Sequence, residues 1–131
     1  MSIEASDVPS FLRHHIASFR SEVNTLEARG EIYPDNAGIY LLMDALYRHV
    51  ADLSRRSDAR ADLMAAITAI GAMLTEGSRG VKDCVKIEIL DQMLSDDAFL
   101  ERVQADLPTT FVEALDEKRR AWGEWHRERH G

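Results

Sequence analysis

Apolar residues recur at intervals of three and four along most of this chain, and nowhere do they alternate with polar ones for long enough to make a strand. Leu12, Ile16, Phe19, Val23 and Leu26 fall on one helical face, between a start at Asp7 and Pro9 and a stop at Gly30. Asp35 or Asn36 caps a second helix, with Ile39, Leu42, Met43, Leu46, Val50 and Leu53 in line. Leu63, Ile67, Ile70 and Leu74 mark a third, which Gly77 ends. The fourth, Val81 to Leu94, is apolar on more than one stripe and is the expected central helix. Ser95, Asp96 and Asp97 open a fifth, since acids in a first turn meet unpaired N–H groups. Thr110 to Glu113 match a capping box for a sixth, which runs through Leu115 and Trp122.

The expectation is therefore one all-α domain over residues 1–131, a compact bundle of about six antiparallel helices. Stacked hairpins of HEAT type are the alternative architecture, although no 40-residue period is visible. A chain of 131 residues can bury roughly two-thirds of its unfolded surface and needs no staple. Its single cysteine, Cys84, fits a reducing compartment, and its apolar neighbours Val81 and Val85 suggest a buried structural thiol. No apolar run is long enough to cross a membrane, and residues 1–7 do not read as a secretory signal. A cytoplasmic protein without membrane contact is expected.

Charge narrows the partners. Residues 1–117 hold 21 acids against 11 Lys or Arg, whereas residues 118–131 hold 2 acids against 5. An acidic body repels phosphate backbones, which argues against nucleic acid and for a basic protein. On the second helix Tyr40, Asp44 and Tyr47 form a stripe about 110° from the centre of the apolar face. Tyrosines flanking a carboxylate suit a partner-binding surface, and these three are the candidate partner-binding residues. The competing reading is that both tyrosines merely cover neighbouring helices.

Other chemistry-bearing residues read as structural. His126 and His130 stand four apart, a spacing able to chelate a metal, but Arg127 occupies the place where a zincin pattern needs Glu. His14 and His15 are adjacent and diverge, and His49 sits opposite the apolar stripe, where it should be solvated. Asp96 and Asp97 are accounted for by capping. Asp83, Glu88 and Asp91 lack the Glu-x-x-His companion of carboxylate-bridged metal bundles. Neither a catalytic residue, a metal ligand nor a cofactor is assigned.

The order of a Tyr40-Leu41-Leu42-Met43 helix, an alanine-rich acidic helix, the Val81 to Leu94 run and a closing segment with Trp122 and Trp125 resembles a family of small uncharacterised bacterial all-α proteins. Some members are thought to be immunity proteins encoded beside secreted toxins. The resemblance covers roughly residues 10–125 and implies an all-α fold more than a function; with the acidic body it leads to the first expectation, a non-catalytic protein-interaction domain, an immunity-like inhibitor of a basic partner. It assigns no residue a function. A self-associating adaptor or structural subunit is the second expectation. A small enzyme or ligand-binding bundle with its site assembled across helices is the third.

Overall fold

The computed structural model describes the backbone of residues 2–32 and 36–130, and the side chains of 2–32 and 39–123. Its N-terminal third is two helices where the periodicity predicts one. α1 (Val8–His15) ends at Ile16, whose φ of −125° and ψ of 83° leave the helical region, and a single 3₁₀ turn at Ala17–Phe19 leads into α2 (Arg20–Ala28). The break keeps both Ile16 and Phe19 buried. It also leaves carbonyls at the end of α1 unpaired, and the Arg20 guanidinium donates to one of them, that of Arg13, at 3.2 and 3.3 Å. The Arg13 side chain reaches across the corner in turn, donating to Asn24 Oδ1 at 2.8 Å and pairing with Glu27.

Gly30 closes α2 as expected. Its N–H donates to the Glu27 carbonyl and that of Glu31 to the Leu26 carbonyl, the paired bonds of a Schellman turn. Its φ of +68° is the reason that only glycine sits there without strain.

α3 (Asn36–Arg55) and α4 (Arg60–Glu76) pack on each other; of the two expected caps of α3, Asp35 lies outside the described residues and Asn36 is already its first helical residue. α4 stops at Gly77, whose φ of −68° and ψ of 151° are extended, and only glycine fits there, since any Cβ would stand 2.4 Å from the Met73 carbonyl oxygen and 2.9 Å from Val81 Cγ1. Beside it, the Ile3 N–H donates to the Glu76 carbonyl and the Ser78 N–H to the Ile3 carbonyl, both at 2.8 Å, which ties the N-terminal segment to the α4 terminus.

Ser78 caps α5 (Arg79–Val85), which passes without interruption through a π turn (Lys86–Leu90) into α6 (Asp91–Leu94). This continuous helix packs against α3 and α4 with α5, and against α3 and the last helix (Thr109–His130) with the π turn, so it is enclosed on several sides as its broad apolar pattern requires. Asp96 then caps α7 (Asp97–Val103), accepting the Phe99 N–H at 3.1 Å. α8 (Thr109–His130) starts one residue before the predicted cap: Thr110 is already helical, and the Val112 N–H donates to the Pro108 carbonyl. Among the described residues the chain thus has seven helices, counting residues 79–94 as one, and no strand beyond the Ile3–Gly77 bridge.

The core joins Leu12, Phe19, Leu42, Leu46, Ile67, Ile70 and Met73 to Val81, Val85, Phe99 and Phe111, with no polar or charged residue buried among those described. Each large apolar side chain removed from water there contributes roughly 1.5–3 kcal/mol. No helix among the described residues is long and apolar enough to cross a membrane.

Candidate functional site

α3 carries the predicted stripe, and the structure divides its three residues. Tyr40 is half-buried against the core beside Cys84, and the charge of that thiol, then its hydrogen bond to the phenol and burial, hold the phenol protonated beyond its ordinary range. Asp44 keeps 35% of its side chain exposed, accepting from Arg48 Nη2 at 2.6 Å and from Gln92 Nε2 at 3.2 Å. Tyr47 is a correction to the expected placement: it is 8% exposed and belongs to the core rather than flanking it. Its ring meets Phe99 edge-on at 5.5 Å and its hydroxyl donates to Asp96 Oδ2 at 3.2 Å. Burial, followed by the Asp96 charge, pushes its pKa up to about 12.

These bonds fix which helix the stripe meets. Tyr40 pairs with Cys84, Asp44 with Gln92 and Tyr47 with Asp96, so α3 and residues 79–94 run in the same chain sense, side by side. Along this seam the sequence supplies carboxylates from both helices. Glu88 is half-buried in the π turn beside Asp44 and Asp91, and burial, with those two charges, raises its pKa. Gln92 Nε2 donates to the Glu88 carbonyl within the π turn at 2.5 Å while also bonding Asp44. Asp91 Oδ1 accepts from Lys118 Nζ of α8 at 2.5 Å.

Where the seam meets α8 it opens into a shallow groove of about 480 Å³, lined by Tyr47, Asp91, Gln92, Ser95, Asp96 and Trp122. Trp122, 37% exposed, lines this groove together with the carboxylates of Asp91 and Asp96. Of these six residues the sequence reading assigned only Tyr47 to the candidate surface. The signal that could have found Asp91, Gln92 and Ser95 is the helical repeat of polar residues at 88, 91, 92 and 95; Asp96, read only as a cap, and Trp122 lie outside it.

The remaining candidates fall elsewhere. Cys84 is fully buried, and burial raises its pKa against the opposing hydrogen bond from Tyr40, so it is no ready nucleophile. His49 is not solvated as predicted: it is half-buried, with Nε2 2.8 Å from Ser18 Oγ and its ring 5.2 Å from that of Phe19. Burial lowers its pKa. His14 and His15 are exposed, their rings edge to face at 4.9 Å. The His126 and His130 pair lies outside the described side chains. No group of three or more His, Cys, Asp or Glu placed to hold a metal occurs among the described residues.

What fold and seam define together is an all-α protein with an acidic groove edged by an indole. No family model matches the chain, and no curated protein or solved structure matches it either.

Proposed function

We propose that this chain is a non-catalytic protein-interaction domain, an immunity-like inhibitor in character, built as a helical bundle with consecutive helices antiparallel, whose α3–π-turn seam binds a basic partner. The observation that carries the reading is the concentration of Asp44, Glu88, Asp91 and Asp96 along one half-buried seam, with only Arg48 and Lys118 as cationic partners among the described residues. An acidic face on a body of net charge −10 over residues 1–117 steers cationic partners toward it. Tyr40 and Tyr47 serve that face from beneath, by holding α3 against Cys84 and Asp96, and Asp44 meets the partner.

The test compares the wild-type chain with Asp44→Ala as bait for partners in the native host, followed by measurement of affinity and association rate for a recovered basic protein. Asp44→Ala should weaken binding by about 1 kcal/mol or more, and the melting temperature should hardly move, because the ion pair it removes is exposed. The association rate should fall steeply between low and physiological salt. Binding that ignores both salt and the substitution removes the acidic seam from the interface.

A further inference from the structure

The groove at the Trp122 end of the seam has a one-sided hydrogen-bonding capacity. Apart from the Trp122 Nε1–H, its side-chain donors are already committed: the Tyr47 hydroxyl to Asp96, the Gln92 amide to Asp44 and to the Glu88 carbonyl, and the Ser95 hydroxyl to the Asp91 carbonyl. Its acceptors are not. Asp91 spends Oδ1 on Lys118 and keeps Oδ2, and Asp96 retains lone pairs beyond those used by Phe99 and Tyr47. A ligand seated here must bring donors and positive charge. The indole of Trp122 at the same groove adds a flat π face.

We infer that this groove takes an arginine side chain of the basic partner, with the guanidinium against the Trp122 indole and its N–H groups directed at Asp91 and Asp96. The inference rests on the acidic-seam reading and specifies its occupant. Charge complementarity selects a cation, and the combination of a π face with carboxylates selects arginine over lysine. A guanidinium is planar, presents several donors in a fixed fork and is weakly hydrated, so it can stack and hydrogen-bond at once. A lysine ammonium is a compact, strongly hydrated charge that gains less from the indole.

The experiment uses two peptides of equal length and charge, one alternating glycine with arginine and one alternating glycine with lysine, titrated against the full chain by fluorescence anisotropy. The wild type should bind the arginine peptide at least threefold more tightly. Trp122→Ala should bring that affinity down to the lysine level, whereas Asp91→Asn should weaken both peptides alike; circular dichroism establishes that each variant is folded. If both peptides bind equally, or the arginine preference survives Trp122→Ala, the inference is overturned and the acidic seam stands. If neither binds, both are overturned. α8 itself carries Arg119 and Arg120, so sedimentation is measured in parallel: a dimer that Trp122→Ala dissolves would give the groove to a second copy of this chain and overturn the assignment to a partner.

Discussion

α3 is flanked by two seams that are half-buried to a similar degree and chemically opposite. Toward the α1–α2 corner it presents His49, which bonds Ser18 and packs on Phe19 beside a groove of about 360 Å³. Toward residues 79–96 it presents Tyr40, Asp44 and Tyr47, facing Glu88, Asp91 and Asp96. Partial burial disfavours charge on both sides. On the first it lowers the pKa of a base, which can rest neutral against a serine hydroxyl. On the second it raises that of Glu88, a group flanked by other acids. The corner seam is thus satisfied from within, and the acidic seam carries charge that its own residues do not neutralise. That contrast is why the second seam, and not the first, is assigned to a partner.

The largest effect that could break this contrast lies within the acidic seam itself. Tyr47→Ala removes a buried ring packed on Phe99 and should cost about 3–4 kcal/mol of stability. Tyr40→Ala, removing a half-buried ring, should cost clearly less, on the order of 1–2 kcal/mol. Urea denaturation of the two variants measures both. Equal losses would mean that the seam is core along its whole length and offers little surface to a partner.

An intermediate effect comes from acid. The folded-state pKa of His49 lies below its unfolded value of 6.5, so the folded protein resists protonating it. The stability this provides is present above pH 6.5 and is lost as the pH falls through the folded pKa. His49→Gln should flatten that part of the profile in thermal melts taken between about pH 7 and pH 5, costing at most about 1 kcal/mol at neutral pH through the altered contact with Ser18. A profile unchanged by the substitution would show that His49 charges freely and that the corner seam is open to water.

The fold was legible wherever local chemistry decides it. Gly30, Gly77 and Asp96 act within a few residues of where they stand, and each ends or begins a helix where expected. The break at Ile16 was not legible, because no glycine or proline marks it and the compensation comes from Arg20 and Arg13 across the corner. Tyr47 and His49 were misplaced for a shared reason. A helical wheel gives α3 one apolar centre, yet α3 packs on α2, α4, α5 and α7, and burial extends to both flanks of that centre. The same limit hid the acidic seam. Periodicity states that 40, 44 and 47 share a face and that 88, 91, 92 and 95 share another, but not that these faces meet.

The smallest predicted effect gives the sharpest view of the acidic seam. Burial and the charges of Asp44 and Asp91 raise the folded pKa of Glu88 above its unfolded value. Its contribution to stability is therefore fully present at pH below the unfolded pKa and is lost as the pH rises through the folded one, leaving an unfavourable charge at neutrality. Glu88→Gln removes that charge while keeping the shape of the side chain and, since Gln92 bonds the backbone carbonyl of residue 88, the capped π turn. The variant should be stabilised by a few tenths of a kcal/mol at pH 7, within the usual range for a partly exposed position, and the gain should vanish by about pH 4, where the wild-type carboxyl is largely protonated. Differential scanning calorimetry at the two pH values measures it. Added salt should shrink the gain at pH 7 by screening Asp44 and Asp91. A variant destabilised at pH 7 would mean that Glu88 is already paired in solution, and among the described residues the acidic seam would then keep only Asp96 without a cationic partner.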